Sequence, residues 1–244
     1  MSEPGTATGT QHAMVARLTD VSKLYGSFAA LRRVSVDFPV GSSTMIVGDN
    51  GAGKSTLLRM VAGLITPSMG ALEVFGDLPH RQRARIAYMS HDTMLYDELS
   101  AMENLRYFAS LEMAPGSCSR CNASPEMALR AVGLDSKLTR PVGQYSQGMR
   151  QRASLARAVQ TDPELLLLDE PFSNMDSESA QKMVALLEDF RTWPMKEHGE
   201  RARTIIFTTH QPRLAESLAQ RTITMKAGAI VSITDNTANE REAK

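Results

Sequence analysis

The chain predicts an α/β fold: a mainly parallel sheet, an antiparallel β subdomain, and a helical subdomain inserted into the core. Three observations carry this expectation. Strand-like runs alternate with helix-like stretches, the pattern of parallel strands joined by right-handed crossovers. Leu165–Leu168 and Thr204–Thr208 are continuous apolar or β-branched runs, as strands buried on both faces are. Between Thr44 and Leu64 a short apolar run, a glycine-rich loop and an amphipathic helix follow one another.

Taken in order, residues 1–12 form a polar segment without an apolar signal core, expected to be a disordered tail. The main domain is placed at residues 13–234. Val15 to Phe38 reads as β structure, with Val34, Val36 and Phe38 alternating with Ser35 and Asp37. Leu24-Tyr25-Gly26-Ser27 is expected to be the turn within it. Thr44–Val47 is a buried strand, and Ser55–Leu64 a helix with Leu57, Leu58, Val61 and Leu64 on one face. Pro67, Gly70 and Gly76 punctuate a small β region around Ala71–Phe75, and Ile86–Met89 is a further strand.

The inserted helical subdomain spans about 92–145. Its helices are Ala101–Leu111 and Pro125–Val132, the second with Ser124 as N-cap and Gly133 just past its end. Met149–Gln160 is a helix, and Ser179–Arg191 is one with Ala180, Met183, Val184, Leu187 and Phe190 on one stripe. Two weak strands, Ile223–Met225 and Ile230–Ile233, meet at a turn near Gly228, and residues 235–244 are a polar tail.

Composition narrows the class. At 244 residues there is room for one α/β domain with a substantial core. Lys and Arg together (27) balance Asp and Glu (27), which argues against a dedicated nucleic-acid binder. No apolar run approaches the roughly 18 residues that span a bilayer. Two cysteines fit a reducing compartment without a disulfide framework. Cys118-Ser119-Arg120-Cys121 offers half a zinc site with no second pair, and position 122 is Asn, not the His of a haem attachment motif. Free surface thiols are the simpler reading.

The chemistry centres on Gly48-Asp49-Asn50-Gly51-Ala52-Gly53-Lys54-Ser55-Thr56, which fits G-x-x-x-x-G-K-[ST] at every fixed position. Strand, glycine loop and helix in succession turn that pattern into a site and the core into a P-loop NTPase. Glycines let backbone N–H groups close around phosphate oxygens, and the helix N-terminus adds partial positive charge. Lys54 is suited to the β- and γ-phosphates, and the Ser55 hydroxyl to Mg²⁺. Asp169 ends the Leu165–Leu168 strand, where a carboxylate holds the Mg²⁺ of a nucleotide, often through water. Glu170 follows and is placed to polarise an attacking water. Adjacent acids also occur at plainly solvated strand ends; the upstream loop tells against that here.

Tyr145-Ser146-Gln147-Gly148-Met149-Arg150-Gln151-Arg152, ahead of Leu165–Glu170, resembles the signature of ABC transporter ATPases, L-S-G-G-Q followed by a basic helix. The resemblance extends from Val15 to Ile233 with the motifs in the family's order. It implies an ATPase using ATP and Mg²⁺, working as a pair of nucleotide-binding subunits beneath integral membrane subunits at the cytoplasmic face of the cell membrane. It implies that Tyr25 stacks on adenine, although a turn-flanking core tyrosine would look the same. It places Asp176, in Ser173-Asn174-Met175-Asp176, on a loop crossing the subunit interface, and His210 against the γ-phosphate, orienting Glu170. Ser146 and Gly148 would offer a hydroxyl and a backbone N–H to the nucleotide of the other subunit.

Departures exist. Tyr145 stands for Leu, Gln147 for Gly and Met149 for Gln, and His91 stands where the family has a glutamine that touches Mg²⁺ and links to the membrane subunit. His91 is therefore expected to meet the nucleotide site through water, or else to be an exposed hinge residue. Tyr88–His91, Glu98–Leu105 and Thr208–Gln211 resemble the ATP-binding subunit of the haem exporter of cytochrome c maturation. Sugar importers with a further regulatory β domain after the histidine are not expected. The alternatives are a soluble ABC protein acting on ribosomes or nucleic acid and a small P-loop kinase. The kinase would lack the signature and His210. Of the soluble members, some resemble two fused copies, and others separate the phosphate loop from the signature by a long coiled coil. Here residues 57–144 intervene, broken by Pro67, Pro79, Pro115, Pro125 and Pro141.

Overall fold

The structure, a computed structural model, describes residues 13–112, 123–192 and 203–236. The expected N-terminal tail, Cys118 and Cys121 lie outside the described residues.

Strands β1 (Met14–Tyr25) and β2 (Phe28–Pro39) pair antiparallel. They are followed by β3 (Ser43–Val47), helix α1 (Lys54–Val61) and β4 (Met69–Val74). Strand β4 pairs with the other edge of β1, so the order β2-β1-β4 makes the antiparallel subdomain. Leu24 and Tyr25 belong to β1, opposite Ala29 and Phe28, and the turn is only Gly26-Ser27. The expected four-residue turn is thus too wide, because cross-strand pairing holds its first two residues.

Next come β5 (Ile86–Met89), α2 (Ala101–Glu112), α3 (Pro125–Ala131) and α4 (Gln147–Val159). Then follow β6 (Leu165–Asp169), α5 (Ser177–Thr192), β7 (Thr204–Thr208), β8 (Arg221–Lys226) and β9 (Ala229–Asp235). The larger sheet has the order β5-β6-β7-β3-β8-β9, parallel except for the final β8–β9 hairpin. Every residue of β6 and β7 is buried, which is why neither shows the alternation of a half-exposed strand. Asp235, expected to open a polar tail, instead ends β9 and takes a 2.7 Å bond from Arg221 Nε.

This sheet separates two apolar clusters. On one side Ile46, Leu165, Leu167, Ile206 and Ile223 pack with α1 and with β1, β2 and β4. On the other, Met45, Met89, Leu166, Leu168 and Phe207 pack with α2 to α5. Period-two alternation of each strand therefore serves both layers. The inserted helices α2 and α3 pack on each other and on α4.

Helix α1 starts one residue earlier and ends three residues sooner than its pattern predicts. Gly63, at φ 69°, stops it: Gly63 N–H bonds Met60 O and Leu64 N–H bonds Arg59 O, the Schellman arrangement. Leu64 falls outside and is 53% exposed, so it is not part of the buried stripe. Ser124 caps α3 as expected, accepting from Met127 N–H.

Candidate nucleotide site

The ends of β3 and β6 and the start of α1 meet at one edge of the parallel sheet, where the connection between adjacent strands leaves a crevice. A cleft of about 670 Å³ opens there. It is lined by Asn50, Gly51, Ala52, Gly53, Lys54, Ser55 and Thr56, together with Asp169, Glu170 and His210. Phe28, Ala30, Arg59 and His91 complete the lining. Ser55 and Asp169, 114 positions apart in sequence, thus share one wall.

The loop geometry follows from its glycines. At Gly48 (φ 148°) a β-carbon would lie 2.2 Å from the Met225 carbonyl oxygen of β8, so no side chain fits. Gly48 and Asp49 do not line the cleft but turn their carbonyls inward. Lys54, only 7% exposed, donates from Nζ to Gly48 O at 2.7 Å and to Asp49 O at 3.2 Å. Its Nζ stands 4.0 Å from Glu170 Oε1. The ammonium is held inside the loop, facing the place where phosphate would sit.

Asp169 is 2% exposed and fully engaged. Its Oδ1 accepts from the Ser55 and Thr208 hydroxyls, each at 2.9 Å, and its Oδ2 from the Tyr88 hydroxyl at 3.2 Å. Burial pushes the Tyr88 phenol up to about 12, so it stays a donor. A serine hydroxyl and a carboxylate side by side are hard oxygen donors that suit Mg²⁺, which takes one or two protein ligands and fills the rest with phosphate and water. No described group of three or more His, Cys, Asp or Glu side chains forms a metal cage. Ser55 and Asp169 are the residues that would hold a Mg²⁺ bound together with nucleotide phosphates.

Glu170 has φ 55°, an uncommon left-handed backbone for a non-glycine residue that costs roughly 1–2 kcal/mol. It is held by Glu170 N–H donating to Thr208 Oγ1 at 2.9 Å and by Ser173 N–H on its carbonyl. Strain sustained in this way belongs to sites where a side chain must be aimed. His210 bonds Glu170 Oε2 twice, from its backbone N–H at 3.2 Å and from Nδ1 at 2.8 Å. A carboxylate only accepts, so Nδ1 is the donor in this bond. Gln211 Nε2 lies 3.4 Å from the other ring nitrogen, His210 Nε2. Glu170 Oε1 is left facing Lys54 and the cleft.

Of the remaining expected residues, His91 lines the cleft and Tyr25, Ser146, Gly148 and Asp176 do not. Tyr25 is half exposed with Lys23 Nζ 5.2 Å from its ring centre, and it does not line the cleft, whereas Phe28 does. Ser146 caps α4, accepting from Met149 N–H at 3.3 Å. That use takes one lone pair and leaves its O–H free to donate. Ser146 and Gly148 do not line the cleft of their own chain. Asp176 caps α5 through Ser179 N–H and Oγ, and these bonds hold its carboxyl below the ordinary range. His91 lines the cleft and has Nδ1 3.3 Å from Ser173 Oγ, joining it to the 173–176 loop.

Gly148 has a local duty as well. A β-carbon there would lie 2.8 Å from Ser179 Oγ, which is already bonded to Asp176. Gly148→Ala therefore overpacks the α4–α5 contact, outweighing the gain in helix propensity. We expect a net loss of about 1–2 kcal/mol, read from denaturant unfolding of the purified chain. Unchanged stability would show that the contact gives way freely.

Tyr88, Thr208 and Arg59 are site residues that sequence reasoning missed. Tyr88 and Thr208 lie within apolar strands and read as core. Only the register of β5 on β6 and of β6 on β7, with Asp169 opposite Thr208, brings them to the carboxylate.

A phosphate-type loop closing on a buried lysine, beside a strand-end Asp-Glu pair with a histidine on the glutamate, defines a nucleotide-hydrolase cassette. A family model for ABC transporters matches residues 31–173. The chain belongs to the ABC transporter family, whose cassettes bind and hydrolyse ATP. It is 34% identical over 229 residues to the sulfate/thiosulfate import ATP-binding protein CysA of Mycolicibacterium paratuberculosis, covering 92% of this chain and 61% of that one. It is 34% identical over 220 residues to the sulfoquinovosyl glycerol transport ATP-binding protein SmoE of Agrobacterium fabrum, covering 88% and 59%. The chain thus spans about three-fifths of the length of these relatives. A solved dimeric ATP-binding cassette, MJ0796, bound to ADP and phosphate after hydrolysis, superposes with a TM-score of 0.74 at 25% identity, covering 90% of this chain and 98% of that one. The cbiO1 protein of Clostridium perfringens shares the fold, with a TM-score of 0.76 at 22% identity and coverage of 94% and 92%. Family and fold agree with the sequence reading. The narrower likeness to a haem exporter finds no counterpart in these relatives, one of which is an import protein by name.

Proposed function

We propose that the chain is the ATP-hydrolysing subunit of a membrane transporter, acting as one of a pair of cassettes at the cytoplasmic face of the membrane. The observation that carries it is the joint arrangement of Lys54, Asp169, Glu170 and His210 around one cleft. ATP would lie with its phosphates on the N–H groups of the Gly48–Thr56 loop. Lys54 would exchange the Gly48 and Asp49 carbonyls for β- and γ-phosphate oxygens. Mg²⁺, held by Ser55 and Asp169, would neutralise phosphate charge. Glu170 Oε1 would orient the attacking water and take its proton, while His210 fixes the carboxylate through Oε2. Tyr25 would close on the adenine, for which it must move or share the task with Phe28.

The pairing proposal rests on Ser146 and Gly148. They lie away from the cleft of their own chain, and the free Ser146 O–H would serve the nucleotide of the partner copy. The 92–145 segment would be the unit that passes motion to the membrane subunits. Among the described residues no helix is long and apolar enough to cross a membrane; in this reading a membrane component supplies the passage.

Cargo and direction are set by that component. The Tyr88–His91 and Thr208–Gln211 stretches favour haem export for cytochrome c maturation, whereas the CysA relative is named for sulfate import. Purification of the chain from native membranes tests both levels. Co-purification with an integral membrane protein, whose presence raises ATP turnover, is expected; a chain that fractionates with ribosomes or nucleic acid would overturn the transporter reading. Loss of haem-stained covalent c-type cytochromes on deletion would support haem, and their persistence would remove it.

A further inference from the structure

The carboxylate of Asp169 is the most densely bonded group in the site, and its third donor is not part of the phosphate loop or the β6 and β7 strand ends. Tyr88 stands on β5, with its ring packed on the apolar cluster around α1. Its hydroxyl donates to Asp169 Oδ2 at 3.2 Å and lies 3.5 Å from Arg59 Nε. Arg59 has no acceptor capacity, so that contact can only run from guanidinium to phenol oxygen, leaving the phenol proton for Asp169.

The two other donors, Ser55 and Thr208, both sit on Oδ1. If Ser55 turns its hydroxyl towards a cation, Oδ1 keeps Thr208 alone. The final torsion of an aspartate is broad and roughly two-fold, so one bond does not define the plane of the carboxylate. A second bond on the opposite oxygen does. Tyr88 is the described donor that supplies it.

We propose that Tyr88 is a positioning residue whose hydroxyl fixes the plane of the Asp169 carboxylate, and thereby sets the divalent-cation affinity of the nucleotide site. Groups that orient a metal's carboxylate ligands act on affinity in this indirect way, without touching the metal. The inference rests on the proposed binding of ATP and Mg²⁺ in the cleft. It adds that a residue in a strand of the core decides how much cation the site needs.

The test uses the purified full chain with Mn²⁺ as the probe and a non-hydrolysable ATP analogue. Free Mn²⁺ is followed by electron paramagnetic resonance, and analogue binding is measured separately in EDTA. Wild type is expected to bind the analogue in EDTA and Mn²⁺ in its presence; failure here would overturn the ATP-site reading itself. Tyr88→Phe is expected to keep its analogue affinity in EDTA while half-saturating Mn²⁺ rises about threefold to tenfold, the loss of one hydrogen bond. In an Asp169→Asn background the same change should have no further effect. Unchanged Mn²⁺ affinity in Tyr88→Phe, an equal loss of analogue binding in EDTA, or an equal shift in the Asn background would each overturn the role of Tyr88. Tyr88→Met, which also lacks the hydroxyl, repeats the measurement if the phenylalanine variant folds poorly.

Discussion

Lys54→Ala is expected to reduce ATP turnover at least about a hundredfold, the scale on which a preorganised charge at a reacting phosphate acts. The lysine is buried against two backbone carbonyls of its own loop. Those carbonyls are acceptors with no charge to satisfy it. In the proposed reading this stored cation finds its full partner in a phosphate. Glu170 Oε1, 4.0 Å away, is its nearest carboxylate oxygen and is the same oxygen assigned to the attacking water. Alanine removes the charge and leaves both carbonyls facing the cleft, where they repel phosphate. Nucleotide affinity should fall together with turnover. The assay is phosphate release by the chain with its membrane partner present, with fluorescent-nucleotide titration alongside. Turnover within a fewfold of wild type would remove Lys54 from the mechanism.

Glu170→Gln should separate binding from chemistry. The amide is nearly isosteric and keeps an oxygen for the His210 backbone N–H, but it does not accept the proton of an attacking water. Turnover is expected to fall by about 10²–10⁴-fold, the range of general-base catalysis. Nucleotide binding should be retained, because the loop and Lys54 are untouched. If two copies share the nucleotide through Ser146, the variant should also accumulate as an ATP-bound dimer on size exclusion. A variant that turns over like wild type would assign the base to another group. One that hydrolyses nothing yet stays monomeric with ATP would keep Glu170 as base and overturn the pairing proposal.

Most of the fold was legible because local pattern and tertiary role coincide. The unbroken apolar or β-branched runs of β6 and β7 suit strands buried on both faces, and the Ser124-Pro125 start of α3 is a capping signal that acts within one turn. The phosphate loop was legible for the same reason: its chemistry is contained in consecutive residues. Misreadings occurred where a distant partner decided the outcome. Leu24 and Tyr25 became strand because Ala29 and Phe28 hold them. Leu64 left the helix because the Gly63 stop overrode the apolar stripe.

By itself, the sequence determined the α/β architecture, the loop around Lys54 and the Asp169-Glu170 pair, all of which rest on short-range periodicity and spacing. The tertiary structure alone decided which residues share the cleft. It placed Tyr88 and Thr208 on Asp169 and aimed Glu170 through a left-handed backbone. It kept Ser146 out of the cleft of its own chain. The physical reason is that hydrogen bonds between strands β5, β6 and β7 depend on register, and register is a property of paired strands that no single strand carries.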